Sequence, residues 1–129
     1  MTTATSQLAT GLIVAATGAL GCVLRWLVTL VLPAGRLPWA TFAVNLAGSL
    51  AIGIVLGVLT ARGLADSRLR AALVIGLLGG FTTYSSFAFE YVALAERKEF
   101  ATAAAYVALT VIGCGLACAL GLVLARRLA

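Results

Sequence analysis

The stretch Gly79-Gly80-Phe81-Thr82-Thr83-Tyr84-Ser85-Ser86-Phe87 puts paired glycines and four hydroxyl side chains inside an apolar segment running from about residue 69 to 95. A helix facing lipid would carry Leu, Ile and Val there. Gly-Gly is costly within a helix, and Ser and Thr offer the backbone competing hydrogen bonds. Two readings are open. The helix breaks here at mid-membrane, where irregular backbone is tolerated only if protein buries it or it lines a wet cavity. Alternatively it runs on, and its small polar residues pack against a neighbour. Other neutral polar groups recur on the flanking segments. Thr41, Asn45 and Ser49 are four apart and share one helical face, as do Tyr106, Thr110 and Cys114. Neutral donors along a narrow path suit a small anion. A full positive charge at the constriction would hold the ion too tightly, whereas conduction needs moderate binding. Aromatic ring edges add a weak positive potential.

Enzyme chemistry is not expected. The chain contains no histidine, and Ser85 and Ser86 have no evident base to activate them. Glu90 is the one acid within an apolar run, toward a segment end, where an interfacial or capping role is expected. Cys22, Cys114 and Cys118 all lie in apolar segments and read as small packing residues, not as a metal site or disulfide.

The elements that must position these groups follow from composition. The 129 residues are 63% hydrophobic and 10% charged, more apolar surface than a small water-soluble domain could hide. The expectation is an all-α integral membrane protein, a single domain over 1–129, with four spans at roughly 8–32, 39–61, 69–95 and 100–125. Residues 1–7 read as an uncharged tail, and the apolar run after them is too long for a cleaved signal peptide. The first span should end at Pro33, with a tight loop to Pro38. Gly53 and Gly57 form a GxxxG spacing suited to close helix contact, a weak signal in membranes. The net charge of +5 is scattered at segment ends, which fits anionic lipid headgroups and not nucleic acid. Arg25 lies inside the first apolar run beside Trp26. It either snorkels to the interface or occupies a wet vestibule or polar contact.

Orientation is nearly undecided. Arg62, Arg68, Arg70, Arg126 and Arg127 would face one side, and Arg25, Arg36, Arg97 and Lys98 the other, five of the nine basic residues against four. The positive-inside rule needs an imbalance. A near tie fits a chain that inserts both ways up and pairs with an inverted copy.

With these residues in view, the sequence resembles the small fluoride channels of the Fluc or CrcB family. The resemblance rests on the run Gly18 to Trp26, the Val-Asn-Leu-Ala-Gly-Ser run around Asn45, and the stretch 79–87, in the family's order. It implies an antiparallel dual-topology homodimer in the bacterial cytoplasmic membrane that passively exports fluoride and so reduces its toxicity. It implies that Asn45 donates its amide to the ion, and that Tyr84 and Phe87 line the path with ring edges. Thr83, Ser85, Ser86, Thr41, Tyr106 and Thr110 would complete the polar lining. A structural sodium ion at the dimer centre would be held by the backbone carbonyls of Gly79 and Thr82 from each copy, as a hard cation requires. Tyr84 stands where phenylalanine is usual, and Ser86 where threonine is common. The rival reading is a small dual-topology proton-coupled multidrug exporter, which would need a central titratable carboxylate. A third is an assembly subunit whose polar line is only helix glue.

Overall fold

The computed structural model describes residues 3–32 and 35–128, and among them every regular element is helical. Four apolar helical segments are long enough to cross a membrane: Thr3–Val31, Trp39–Ala61, Arg68–Glu96 and Phe100–Arg127. The first is α1 and the second α2. The third begins with α3, a continuous run made of Arg68–Arg70, a π-helical Ala71–Leu78, and Gly79–Phe81. It resumes as α4, Tyr84–Glu96, and the last helix is α5, Phe100–Leu128.

Two ends differ from expectation. Helix α1 already begins at Thr3, so residues 3–7 are its first turns and not a tail. Thr5 and Ser6 are compatible with that, and Thr10 strengthens it by donating its hydroxyl to the Ser6 carbonyl at 3.0 Å. Helix α5 continues past residue 125 through the Arg126-Arg127 pair, whose charges favour a helix C-terminus. Pro33, the expected end of the first span, lies outside the described residues.

Helix α1 packs on α3, and α2 packs on α5 over their length. Both crossings need glycine. A Cβ on Gly21 would collide with the Leu77 carbonyl and the Phe81 amide of α3, and one on Gly53 with the Cys118 carbonyl of α5. Side-chain packing and close backbone approach, not hydrophobic burial, drive such contacts in lipid. A small core of Phe87, Leu94, Ala103 and Tyr106 lies between α4 and α5, with Leu37, Phe42 and Val107 against it. Other aromatic residues of α4 are uncovered: Tyr84 is 80% and Phe89 76% exposed.

Candidate functional site

Helical winding stops between α3 and α4. Thr82 has φ −82° and ψ 158°, and Thr83 φ −150° and ψ 111°, both extended. An extended pair takes backbone groups out of the i→i+4 ladder, and in an apolar setting each needs a new partner. Asn45 of α2 supplies two of them. Its Oδ1 accepts from the Thr83 amide at 2.8 Å, and its Nδ2 donates to the Thr83 carbonyl at 3.0 Å. The side-chain amide thus acts as a peptide would across a ladder. Thr83 in turn caps α4, its Oγ1 accepting from the Ser86 amide at 3.2 Å and donating to Ser86 Oγ at 3.0 Å. Ser85 Oγ is 3.4 Å from the same hydroxyl.

The break takes the carbonyls of residues 79–82 out of the i→i+4 pattern, Gly79 and Thr82 among them. In a continuous α-helix the Gly79 oxygen would accept from the Thr83 amide and the Thr82 oxygen from the Ser86 amide. Here both donors are engaged elsewhere, by Asn45 and by the Thr83 hydroxyl. Thr82 itself remains tied to α3, its amide and Oγ1 both donating to the Leu78 oxygen at 2.9 Å.

Asn45, Thr82, Tyr84, Phe87 and Thr110 line one cavity of about 370 Å³, together with Gly79, Ser49 and Cys114. An amide NH₂ carries two donors, so one N–H of Asn45 remains beyond the bond to Thr83. Thr110 is buried, yet its Oγ1 has no hydrogen-bond partner. The helical threonines Thr10, Thr17 and Thr29 each return their hydroxyl to a carbonyl of the preceding turn, and Thr110 does not. The Tyr84 and Phe87 rings lie 5.7 Å apart, and Phe87 and Tyr106 5.2 Å apart, all tilted.

A second cavity, of about 250 Å³, reaches the same clip from Thr83 and Ser86 and is lined also by Arg25, Thr41 and Trp26. Arg25 is half-buried, and its guanidinium contacts Cys22 Sγ at 3.7 Å. Arg25 thus lines a polar cavity beside Trp26.

One residue takes a different place from that expected. Glu90, toward the end of its segment, bridges helices instead of serving as a cap. Its Oε1 accepts from Thr41 Oγ1 and its Oε2 from the Tyr106 hydroxyl, each at 2.7 Å, so it ties α4 to α2 and α5. The signal was present in the spacing: Thr83, Phe87 and Glu90 fall three and four apart, on one face of α4. Thr41 and Tyr106 therefore direct their hydroxyls to a carboxylate. Of the sequence candidates, Asn45, Thr82, Thr83, Tyr84, Ser86, Phe87 and Thr110 meet around the extended pair, and Ser85 is exposed beside it.

Residues 12–122 match the family model described as CrcB-like protein, Camphor Resistance (CrcB). The chain is 45% identical over 117 residues to a fluoride-specific ion channel FluC of Bordetella petrii, covering 91% of each chain. It is 40% identical over 120 residues to a protein of the same name from Geobacter sulfurreducens, covering 91% of this chain and 97% of that one. A third, from Sphingopyxis alaskensis, is 44% identical over 91 residues, 70% of this chain and 72% of the relative.

Proposed function

The chain belongs to the CrcB family, and from that premise we propose that it is a passive fluoride-selective channel of the bacterial cytoplasmic membrane. The observation that carries this reading at the level of the site is the buried, unpartnered hydroxyl of Thr110, a residue that lines one cavity with Asn45 and Phe87. A buried hydroxyl without a partner costs stability, and an anion passing through the cavity would be its partner. Fluoride holds its water tightly, so hydroxyl and amide donors must replace that shell, while a narrow path rejects larger chloride. Hydrogen fluoride enters across lipid from acidic surroundings and dissociates inside, and the channel lets the trapped ion leave. The helix break at Thr82–Thr83, at mid-membrane, is the narrow point of this path. Arg25 lines its vestibule, and Ser85 and Ser86 its approach.

The working unit in this reading is an antiparallel homodimer of two chains inserted in opposite orientations. Support comes from the near tie of basic residues and from the exposed aromatic rings Tyr84 and Phe89 of α4. A sodium ion at the dimer centre would be held by the Gly79 and Thr82 carbonyls of both copies. The fit lies in the chemistry of the donors: both are carbonyl oxygens that the break takes out of the helical ladder, and hard cations take oxygen ligands. Its charge would hold the two copies' helix breaks together and favour an anion nearby.

Glu90, drawn into the interior by two hydroxyls, is the feature a proton-coupled exporter would use. Efflux from liposomes separates the two readings. The channel predicts rapid fluoride release with chloride retained and no need for a proton gradient. Proton-driven release of a cationic drug without fluoride flux would favour the exporter.

A further inference from the structure

We propose that the polar corner between the start of α1 and the start of α3 binds the phosphodiester headgroup of an anionic phospholipid. The corner is a cavity of about 400 Å³ lined by Ser6, Thr10, Asp66, Ser67, Arg68 and Arg70. Arg68 reaches across it and donates from Nη2 to Ser6 Oγ at 2.9 Å, so a neutral hydroxyl holds its guanidinium in place. Ser67 is fully used by the turn, donating to the Leu64 carbonyl at 2.7 Å and accepting from the Arg70 amide at 3.2 Å. Among the described residues neither guanidinium is paired with a carboxylate. Two arginines against one aspartate leave the corner positive, with planar donors that match phosphate oxygens.

The setting decides for a lipid over free phosphate. Both helix ends begin apolar spans, so the corner lies at the membrane boundary. Leu8 and Leu69, one or two residues from the polar groups, are exposed, and they would lie along acyl chains while the arginines hold the headgroup. The proposal depends on the membrane location of the chain and not on which ion it conducts.

The test is native mass spectrometry of the purified full-length protein in detergent, titrated with phosphatidylglycerol or phosphatidylcholine of the same acyl chains. Phosphatidylglycerol should be retained preferentially. The double variant R68Q/R70Q should lose about thirtyfold in affinity for it, while R126Q/R127Q, with the same charge removed on the same side, should change it by less than about threefold. Equal losses in the two variants would mean diffuse charge attraction and overturn the site. Binding of inorganic phosphate to lipid-free protein, with displacement of phosphatidylglycerol by it, would overturn the lipid assignment. Should R68Q/R70Q fail to elute as a folded species, Ser6→Ala removes only the hydroxyl that positions Arg68. Its phosphatidylglycerol affinity should fall severalfold, and unchanged affinity would refute the proposal.

Discussion

Replacing Thr110 with valine should raise stability and lower fluoride flux, and the opposite signs make the experiment decisive. The Thr110 Oγ1 is buried without a partner, and the cavity that Thr110 lines is largely apolar. Leaving a hydroxyl unsatisfied costs about 1–3 kcal/mol, and valine has nearly the same shape without that cost. Thermal unfolding in detergent should therefore shift upward. Conduction should suffer because a hydrogen bond to a charged group is worth about 1.5–3 kcal/mol, so efflux should drop by roughly tenfold or more. Thr110→Ser keeps the hydroxyl and should keep most of the flux. The assay is fluoride-electrode recording of efflux from liposomes at matched protein density, with gel filtration to check assembly. A valine variant that unfolds earlier and conducts like the parent would refute the reasoning, because the hydroxyl would then serve packing and not the ion.

Four further outcomes are expected. Asn45→Asp turns the donor at 3.0 Å from the Thr83 carbonyl into a carboxylate that also repels a passing anion, by about 4 kcal/mol at 4 Å and an effective dielectric of 20; efflux should fall near background in the same liposomes. Phe87→Ile keeps apolar bulk but removes a ring edge worth about 1 kcal/mol per contact, and should cut flux sharply in a folded protein, whereas Tyr84→Phe should be mild in side-by-side efflux traces. Glu90→Ala strands the Thr41 and Tyr106 hydroxyls and should lower stability by roughly 2–4 kcal/mol in a denaturation series, with flux reduced. Adding two lysines beside Arg97-Lys98 should fix one orientation and abolish flux when that chain is expressed alone; full activity without an oppositely oriented partner would contradict the antiparallel dimer.

The four apolar helical segments were legible because hydropathy and length suffice to mark a span, and only their ends moved: α1 took in residues 3–7, and α5 ran on to its terminal arginines. Four-residue spacing fixes a helical face, and Asn45 and Ser49 of α2 meet Thr110 and Cys114 of α5 in one cavity, whereas Thr41 and Tyr106 of the same repeats meet at Glu90. What sequence could not give was the pairing of groups across helices. Asn45 was read as a donor to an ion, and in the structure one donor and its acceptor are committed to Thr83. Glu90 was placed at an edge because one-dimensional position shows depth along a helix but not which neighbour it faces. Its two hydroxyl partners lie 49 and 16 residues away in the chain.

The same atoms hold the backbone together and form the proposed path. Extended residues amid apolar helices need partners for their amides and carbonyls. Asn45 and the Thr83 hydroxyl provide them, so the Gly79 and Thr82 oxygens lose their helical donors, and Asn45, which lines the cavity, keeps one N–H beyond its bond to Thr83. The clip fixes the rotamer of Asn45 at both ends, so its remaining donor needs little reordering when an ion arrives. A rigid donor of this kind discriminates by size, because it cannot follow a larger anion. Thr110, by contrast, has no partner for its buried hydroxyl, and in the proposed path that hydroxyl would turn to the ion. One fixed donor beside one free donor is an arrangement that strips water selectively yet lets the ion go. Stability alone would have satisfied Thr110 as it satisfied Thr10, Thr17 and Thr82, with a carbonyl of the preceding turn. That it did not is the structural reason to look for an ion there.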